Sequence, residues 1–268
     1  MTVEATSAPE TSTAQALMQV RGMSMSYGTG PNENKILENL DLDVAAGEFV
    51  SIVGPSGVGK TTLLRCLSGL LRPKAGTITV NGHQVSGPHP DLAVVFQDYS
   101  RSLMPWMNTR ENVAFPLQGK GMGKAERNAL ADRNLKAVGL EGQGDKYPWE
   151  MSGGMQQRVA MARALAYNAK VLLMDEPFAS VDAQTRFDLE DLVIDLQKNL
   201  GVTIILVTHD IDEAVYLADK VVVIAEKPAT VVDVIETGFG DERDQVQTKA
   251  DPRFAEARAR ILIRLRKH

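Results

Sequence analysis

A glycine-rich stretch that contains a lysine and two threonines carries the strongest chemical signal in the chain. It joins an apolar, β-branched run to residues with helical spacing, and it reads Gly54-Pro55-Ser56-Gly57-Val58-Gly59-Lys60-Thr61-Thr62. Glycines allow a backbone path that directs successive N–H groups at one point, and the positive end of the following helix adds to them. We therefore expect this loop to bind phosphate groups, with Lys60 on the outer phosphates and the Thr61 hydroxyl on Mg²⁺. The alternative is a chance glycine-rich turn.

Two acidic residues, Asp175 and Glu176, follow a second continuous apolar run. The carboxyl ends of strands are where open α/β sheets place their ligands. Asp175 is therefore expected to hold the Mg²⁺ of a bound nucleotide. Glu176 projects in a different direction and is expected to polarise the attacking water. Two acids that cap the following turn are the alternative.

A histidine and a glutamine end two further apolar runs. We expect His209 to hydrogen-bond a γ-phosphate or the attacking water, which makes Glu176, His209 and Lys60 the predicted catalytic residues. The Gln97 amide is expected to contact the metal or the water. For each of the two residues, a polar group satisfied within the fold is the alternative.

Ser152-Gly153-Gly154 forms a second start of a helix. Serine is a favourable N-cap, and the helix start presents free N–H groups at a positive dipole end. A nucleotide triphosphate needs one phosphate loop, so this second start can complete the site of another copy of the protein. An ordinary capped helix is the alternative.

Composition limits the class of protein. The chain has 268 residues, is 44% hydrophobic and carries a net charge of −5. It fits one large α/β domain or a domain with an insertion, and its charge argues against a nucleic-acid partner. The single cysteine, Cys66, cannot form an internal disulfide and is expected to be buried. No apolar run approaches the ~20 residues that span a bilayer, so a partner must provide any membrane part.

Hydrophobic periodicity predicts alternating strands and helices. The predicted strands lie at 16–25, 36–44, 49–53, 76–80, 92–96, 170–174, 202–209, 221–224 and 230–235. The predicted helices lie at 61–71, 124–138, 184–199 and 211–218. Strands that are apolar throughout predict a mainly parallel sheet covered on both faces. Residues from about 100 to 165 show no strand pattern, and we interpret this stretch as a helical insertion. The polar residues 1–16 are expected to form a disordered tail.

Together these motifs resemble, in type and in order, those of ATP-binding-cassette (ABC) ATPases over roughly residues 17 to 240. The resemblance implies a P-loop NTPase fold with an N-terminal antiparallel β part and a helical subdomain. It also implies an ATPase domain at 17–245 and a basic amphipathic helix at 246–268. Its cofactors would be ATP and Mg²⁺.

The same resemblance implies a dimer that buries two ATP molecules. Ser152, Gly153 and Gly154 of one copy would contact the γ-phosphate held by the other, and Tyr27 would stack on adenine. The loop at 179–182 would link the two sites. The chain departs from the usual signature, Leu-Ser-Gly-Gly-Gln, because Met151 and Met155 replace its first and last residues.

A narrower resemblance concerns importers of nitrate, sulfonates and taurine, and it rests on segments 96–98, 103–113 and 251–262. It implies an ATPase on the cytoplasmic face of the bacterial plasma membrane, bound to a permease and indirectly to a substrate-binding protein. Trp106 is expected to contact the permease, with core packing as the alternative. An exporter ATPase and a soluble ABC ATPase are the alternative functions. The C-terminal helix is expected to pack on its own domain, with contact to anionic lipid as the alternative.

Overall fold

The structure is a computed structural model that describes residues 16–98, 102–240 and 242–267. Within these residues the strands are β1 (Met18–Tyr27), β2 (Asn34–Val44), β3 (Phe49–Val53), β4 (Ala75–Val80), β5 (His83–Gln84), β6 (Leu92–Val95), β7 (Val171–Asp175), β8 (Thr203–Thr208), β9 (Lys220–Ala225) and β10 (Thr230–Glu236). The α-helices are α1 (Lys60–Leu67), α2 (Thr109–Ala114), α3 (Lys124–Ala137), α4 (Gly153–Ala166), α5 (Ala183–Leu200), α6 (Ile211–Leu217), α7 (Gln247–Ala250) and α8 (Pro252–Arg266). The predicted strands and helices are thus confirmed, with ends that differ by a few residues.

The larger sheet has the strand order β10-β9-β3-β8-β7-β6. Its strands from β9 to β6 are parallel, and β10 forms an antiparallel hairpin with β9. Every residue of β3, β7 and β8 is buried. Successive side chains enter two separate apolar clusters, since Phe49 and Val53 face one cluster while Val50 and Ile52 face the other. The predicted parallel sheet with two covered faces is therefore confirmed.

A smaller antiparallel sheet, ordered β2-β1-β4-β5, precedes and flanks the phosphate loop in sequence. Its inner face shares an apolar cluster with β3 and α1. Ile36 of β2 lies against the loop itself, because a Cβ built on Gly59 would come within 2.7 Å of the Ile36 Cγ2 atom. The small sheet therefore forms one wall of the phosphate loop.

The helix that follows the phosphate loop is shorter than expected. The sequence predicted residues 61–71, with Pro73 as the reason for the end, but α1 ends at Leu67. Gly69 then adopts a left-handed φ of 75°, and its Cα approaches the Gly87 backbone so closely that a Cβ would lie 2.0 Å from the Gly87 oxygen. The close approach of a neighbouring loop thus ends the helix before the proline does.

Residues 102–166 contain helices and turns and no strand. Helices α2, α3 and α4 pack together, and their buried residues join the apolar cluster on one face of the large sheet; these include Val113, Ala131, Leu135 and Val159. The predicted helix at 124–138 is confirmed. The division into a tail, an ATPase domain and a C-terminal helix remains a prediction, and residues 1–15 lie outside the described residues.

The C-terminal helix α8 packs on its own chain, as expected. Phe254 and Ile261 are buried, and Leu265 is partly buried against the same apolar cluster. Two arginines beside this apolar face, Arg260 and Arg264, both donate to the Asp233 carboxylate, at 2.6 and 2.8 Å. Among the described residues, no helix combines the length and apolarity that crossing a bilayer requires.

Candidate active site

The phosphate loop connects β3 to α1, and the side chain of a lysine lies across it. Gly59 lies at the helix start with φ 118°, a left-handed conformation that glycine adopts without strain. The Lys60 side chain turns back over the loop, and its Nζ donates to the carbonyl oxygens of Gly54 at 2.9 Å and Pro55 at 3.2 Å. Lys60 is buried, and burial lowers the pKa of its ammonium against the opposing charges of Glu176 and Asp175. A phosphate anion in the loop would reverse that shift and bind the lysine.

Asp175 and Thr61 meet beside the loop. Asp175 is the last residue of β7, and the Thr61 hydroxyl in the first turn of α1 donates to its Oδ1 at 3.3 Å. Burial raises the pKa of Asp175; the Thr61 hydrogen bond opposes this rise, whereas the nearby Glu176 charge adds to it. A divalent cation would favour the ionised carboxylate. Two of the three predicted metal ligands are thus adjacent and of the oxygen type that Mg²⁺ binds, and Gln97 is the third.

Glu176 is where four segments of the chain meet. Its Oε2 accepts from Gln97 Nε2 at 3.3 Å and lies 3.0 Å from His209 Nδ1, while its Oε1 lies 3.9 Å from Lys60 Nζ. The backbone here is unusual, since Glu176 has φ 44°, and its N–H donates to the Val207 oxygen at 2.8 Å. The left-handed turn directs Glu176 away from Asp175, so that the two neighbouring acids have different partners.

These residues fit a nucleotide with its Mg²⁺. The loop would supply backbone N–H groups and a buried cation for phosphates, and Thr61, Asp175 and Gln97 would supply oxygen ligands for the metal. Within the described ranges, no three His, Cys, Asp or Glu side chains group together to hold an ion by themselves. When bound, Mg²⁺ would neutralise charge on the transferred phosphoryl group.

The helix start at Ser152 is a separate feature. Ser152 is exposed and caps α4 by accepting from the Met155 N–H at 3.3 Å. No hydrogen bond among the described residues joins Ser152, Gly153 or Gly154 to the phosphate loop or to Glu176. The two predicted anion sites of the chain are therefore not brought together within one copy.

The two methionines of the signature pack inward. Met151 is buried and its sulfur accepts from the Thr109 hydroxyl at 3.2 Å, while Met155 packs partly buried against the large apolar cluster. Gly154 is required by close packing, because a Cβ there would lie 2.4 Å from Thr185 Cγ2 on α5. The two methionines thus change the side chains at the first and last positions of the signature. They leave the backbone of the helix start in place.

Tyr27 is the last residue of β1 and is 43% exposed. It pairs with Asn34 of β2, two residues before the Ile36 that lies against the phosphate loop. It is therefore available for stacking near the loop, and its contact with adenine remains a prediction.

Two residues outside the nucleotide site were also predicted. Trp106 is 70% exposed, which excludes the core-packing alternative. Cys66 is buried as expected, and burial raises the pKa of its thiol to about 11.

Sequence reasoning missed a buried carboxyl in the helix that follows His209. Glu213 is buried in α6, and Thr208 and Arg186 lie beside it. Acidic residues in an amphipathic helix usually face water, so the pattern gave no signal of a buried carboxyl. The nearest clue was the position of Glu213 four residues after His209.

A family model described as ABC transporter matches residues 37–179, which include the phosphate loop, Gln97, the Ser152 helix start and the Asp175-Glu176 pair. The chain belongs to the ABC transporter family. It has the P-loop fold of ABC ATPase cassettes, and it is an ATP-binding protein and an ATPase.

Named relatives and a solved structure agree with this membership. The chain is 41% identical to the nitrate transport protein NasD of Klebsiella oxytoca, an alignment that covers 92% of this chain and 95% of NasD. It is 42% identical to the taurine import ATP-binding protein TauB of Jannaschia sp., covering 91% and 92%. The ATP-binding cassette MJ0796, solved as a dimer in a post-hydrolysis state bound to ADP and Pi, is 31% identical with a TM-score of 0.72, covering 82% of this chain and 98% of that one.

Proposed function

We propose that this chain is the ATP-hydrolysing subunit of a bacterial importer for a small oxyanion or organosulfur compound such as nitrate, a sulfonate or taurine. It works as a dimer on the cytoplasmic face of the plasma membrane, bound to a permease that receives substrate from a binding protein. The names of NasD and TauB support import and this substrate class.

The convergence of Lys60, Gln97 and His209 on the Glu176 carboxylate carries the enzymatic part of the proposal. In our proposal Glu176 accepts a proton from the attacking water, and His209 and Gln97 fix the orientation of the carboxylate. Lys60 and the loop N–H groups hold the phosphates, and Thr61 and Asp175 hold Mg²⁺. The Ser152, Gly153 and Gly154 segment acts on the nucleotide of the other copy, which is consistent with the dimer solved for MJ0796.

The variant Glu176→Gln tests this assignment, with Glu126→Gln on the exposed surface of α3 as the matched control. The amide keeps the shape of the side chain but accepts no proton, so we expect phosphate release to fall by about 100-fold or more. ATP binding should persist, and light scattering should detect a dimer that accumulates in ATP. Normal turnover by Glu176→Gln would contradict the assignment of Glu176 as the base. If the variant stays monomeric with ATP, the proposal that two copies share each nucleotide site is wrong.

The permease contact is tested with the two tryptophans of the chain. Trp106 is 70% exposed, and Trp149 is 65% exposed but stacks on Tyr147 with ring centroids 4.6 Å apart. We propose that Trp106 and its neighbours receive the permease, because an exposed indole of this size is typical of a contact surface. Trp106→Ala should leave the ATPase activity of the free subunit unchanged and abolish its stimulation by vesicles that contain the permease. Trp149→Ala should preserve that stimulation, and equal loss in both variants would contradict the assignment.

A further inference from the structure

An ion pair joins helix α5 to the turn that carries His209. Arg186, near the start of α5, donates from Nη1 to Asp210 Oδ2 at 3.2 Å, and Asp210 directly follows His209 in the chain. The two side chains are 32% and 35% exposed. Because solvent screens an ion pair with this exposure, the pair adds little to the stability of the fold. Its place beside the candidate active site therefore indicates another role.

The burial of the arginine points the same way. The Nε atom of Arg186 is buried with no hydrogen-bond partner among the residues that the structure describes. A buried donor without a partner costs free energy of folding, and an apolar side chain at this position of α5 would avoid that cost. The reason for Arg186 therefore lies in what its acceptor, Asp210, holds in place.

The Asp210 carboxylate uses its two oxygens for different contacts. Its Oδ1 caps α6 by accepting from the N–H groups of Asp212 at 2.9 Å and Glu213 at 3.1 Å. Its Oδ2 accepts from Arg186 on another helix. The terminal torsion of an aspartate is broad, so the second contact is what fixes the plane of the carboxylate.

The backbone around His209 is held at Thr208 and Asp210. Thr208 ends β8, and its Oγ1 accepts from the Asp210 N–H at 3.0 Å. The side chain of His209 is 55% exposed, so packing does little to fix its imidazole, yet its Nδ1 lies 3.0 Å from Glu176 Oε2. The direction of the imidazole therefore depends on how firmly the turn is held, and Asp210 holds it on the C-terminal side.

Helix α5 gives Arg186 a rigid base. Leu189 and Val193, on the following turns of the helix, are fully buried in the large apolar cluster. Asp182 caps the start of α5, because it accepts from the Thr185 N–H at 3.0 Å and from the Thr185 hydroxyl at 2.6 Å. Arg186 thus ties the cap of the short helix α6 to a helix that is anchored in the core.

We propose that Arg186 is a positioning residue that directs His209 toward Glu176 by holding the Asp210 carboxylate. Without the guanidinium, Asp210 still caps α6 through Oδ1, but its carboxylate turns freely and the turn around His209 loosens. His209 then spends less time within hydrogen-bond distance of Glu176, so hydrolysis slows while ATP binding is unaffected. The proposal rests on the proposed role of His209 in hydrolysis.

A double-mutant cycle tests the proposal in the full chain, with steady-state ATPase kinetics as the measurement. Arg186→Met removes the guanidinium and keeps an apolar stem, while Asp210→Asn keeps an oxygen for the cap of α6 and presents an NH₂ group to Arg186. Each should lower kcat about tenfold with KM for ATP unchanged, because a displaced catalytic group costs rate rather than binding. The double variant should be no slower than either single variant, since both break the same contact.

A second ion pair on α6 provides the matched control. Arg258 of α8 lies 2.8 Å from Asp212, so Arg258→Met also removes an arginine from α6 but leaves the Asp210 carboxylate in place. Its kcat should stay within twofold of wild type. Arg186→Lys keeps a cation for Asp210 on a stem that fills similar space to that of Arg186→Met, and it should retain at least half of the wild-type kcat. The difference between these two variants therefore reports the charge rather than the packing.

Three outcomes would overturn the proposal: losses that add in the double variant, a kcat within twofold of wild type for Arg186→Met, or an equal loss in Arg258→Met. Arg186→Met and Arg186→Lys also decide the matter if Asp210→Asn fails to fold. Normal turnover by His209→Ala would contradict the proposed function on which the proposal rests. Slow turnover by His209→Ala together with normal turnover by Arg186→Met would contradict the positioning role alone.

Discussion

The molecule has two helix starts that we propose to bind phosphate groups, and they have very different surroundings. The start of α1 follows a glycine in a left-handed conformation and is surrounded by Lys60, Asp175 and Glu176. The start of α4 has an exposed serine cap and packs its second residue, Gly154, against α5. Free N–H groups alone therefore do not make a reaction site. The first start has acidic side chains and a buried lysine beside it, whereas in our proposal the second supplies donors for a phosphate that the other copy holds.

The largest effect is expected at the first helix start. Lys60→Ala removes the buried cation of the phosphate loop, so ATPase activity should fall by about 100-fold or more in a phosphate-release assay. Lys198→Ala, which removes an exposed cation from α5, is the control and should retain full activity. If Lys60→Ala keeps its turnover, the buried lysine is not what distinguishes the start of α1 from the start of α4.

An intermediate effect is expected at the second helix start. A Cβ on Gly154 would lie 2.4 Å from Thr185 Cγ2, and Thr185 cannot rotate freely because Asp182 accepts from both its N–H at 3.0 Å and its hydroxyl at 2.6 Å. Gly154→Ala should therefore displace the helix start, lower ATPase activity about tenfold and reduce the free energy of unfolding by about 1–3 kcal/mol.

The partner residue allows a rescue of that variant. Thr185→Ser removes the clashing methyl group and keeps the hydroxyl bond to Asp182. The double variant Gly154→Ala, Thr185→Ser should therefore recover most of the activity and of the unfolding free energy measured in urea. If the second substitution restores nothing, contact with Thr185 is not the reason for glycine at position 154.

Much of the first helix start was predictable and much of the second was not. Gly54 to Thr62, Asp175, Glu176 and His209 are local patterns at strand ends, and a parallel sheet necessarily brings strand ends to one edge. The Gly154–Thr185 contact joins residues 31 positions apart through packing that no periodicity records. The end of α1 was misjudged for the same reason, since Gly69 responds to the neighbouring Gly87 backbone.

The smallest effect is expected far from both helix starts, at the C-terminal helix. Hydrogen bonds from Arg260, and then from Arg264, hold the pKa of Asp233 at about 2, against the effect of burial. An acid whose folded pKa is lowered contributes stability above its unfolded pKa, and the contribution is lost as pH falls through about 2. Because both arginines are about half exposed, we expect Asp233→Asn to lower the free energy of unfolding by only about 1 kcal/mol at pH 7.

Urea unfolding at pH 7 and pH 3 checks this expectation. The difference between Asp233→Asn and wild type should shrink at the lower pH, while Asp195→Asn on the exposed face of α5 should show little difference at either pH. ATPase activity should remain at the wild-type level in both variants. A pH-independent difference would mean that the carboxylate charge is not what joins α8 to β10.

The φ of 44° at Glu176 has a consequence for how this enzyme can adapt to heat. A side chain in the left-handed region costs about 1 kcal/mol that glycine would not incur, so the fold would gain thermal tolerance by giving up the carboxylate. Because Glu176 is the base of hydrolysis in our proposal, variants selected for survival at high temperature would tend to lose activity by replacing it with glycine. Any lineage that keeps both heat resistance and hydrolysis must find its extra stability elsewhere in the chain.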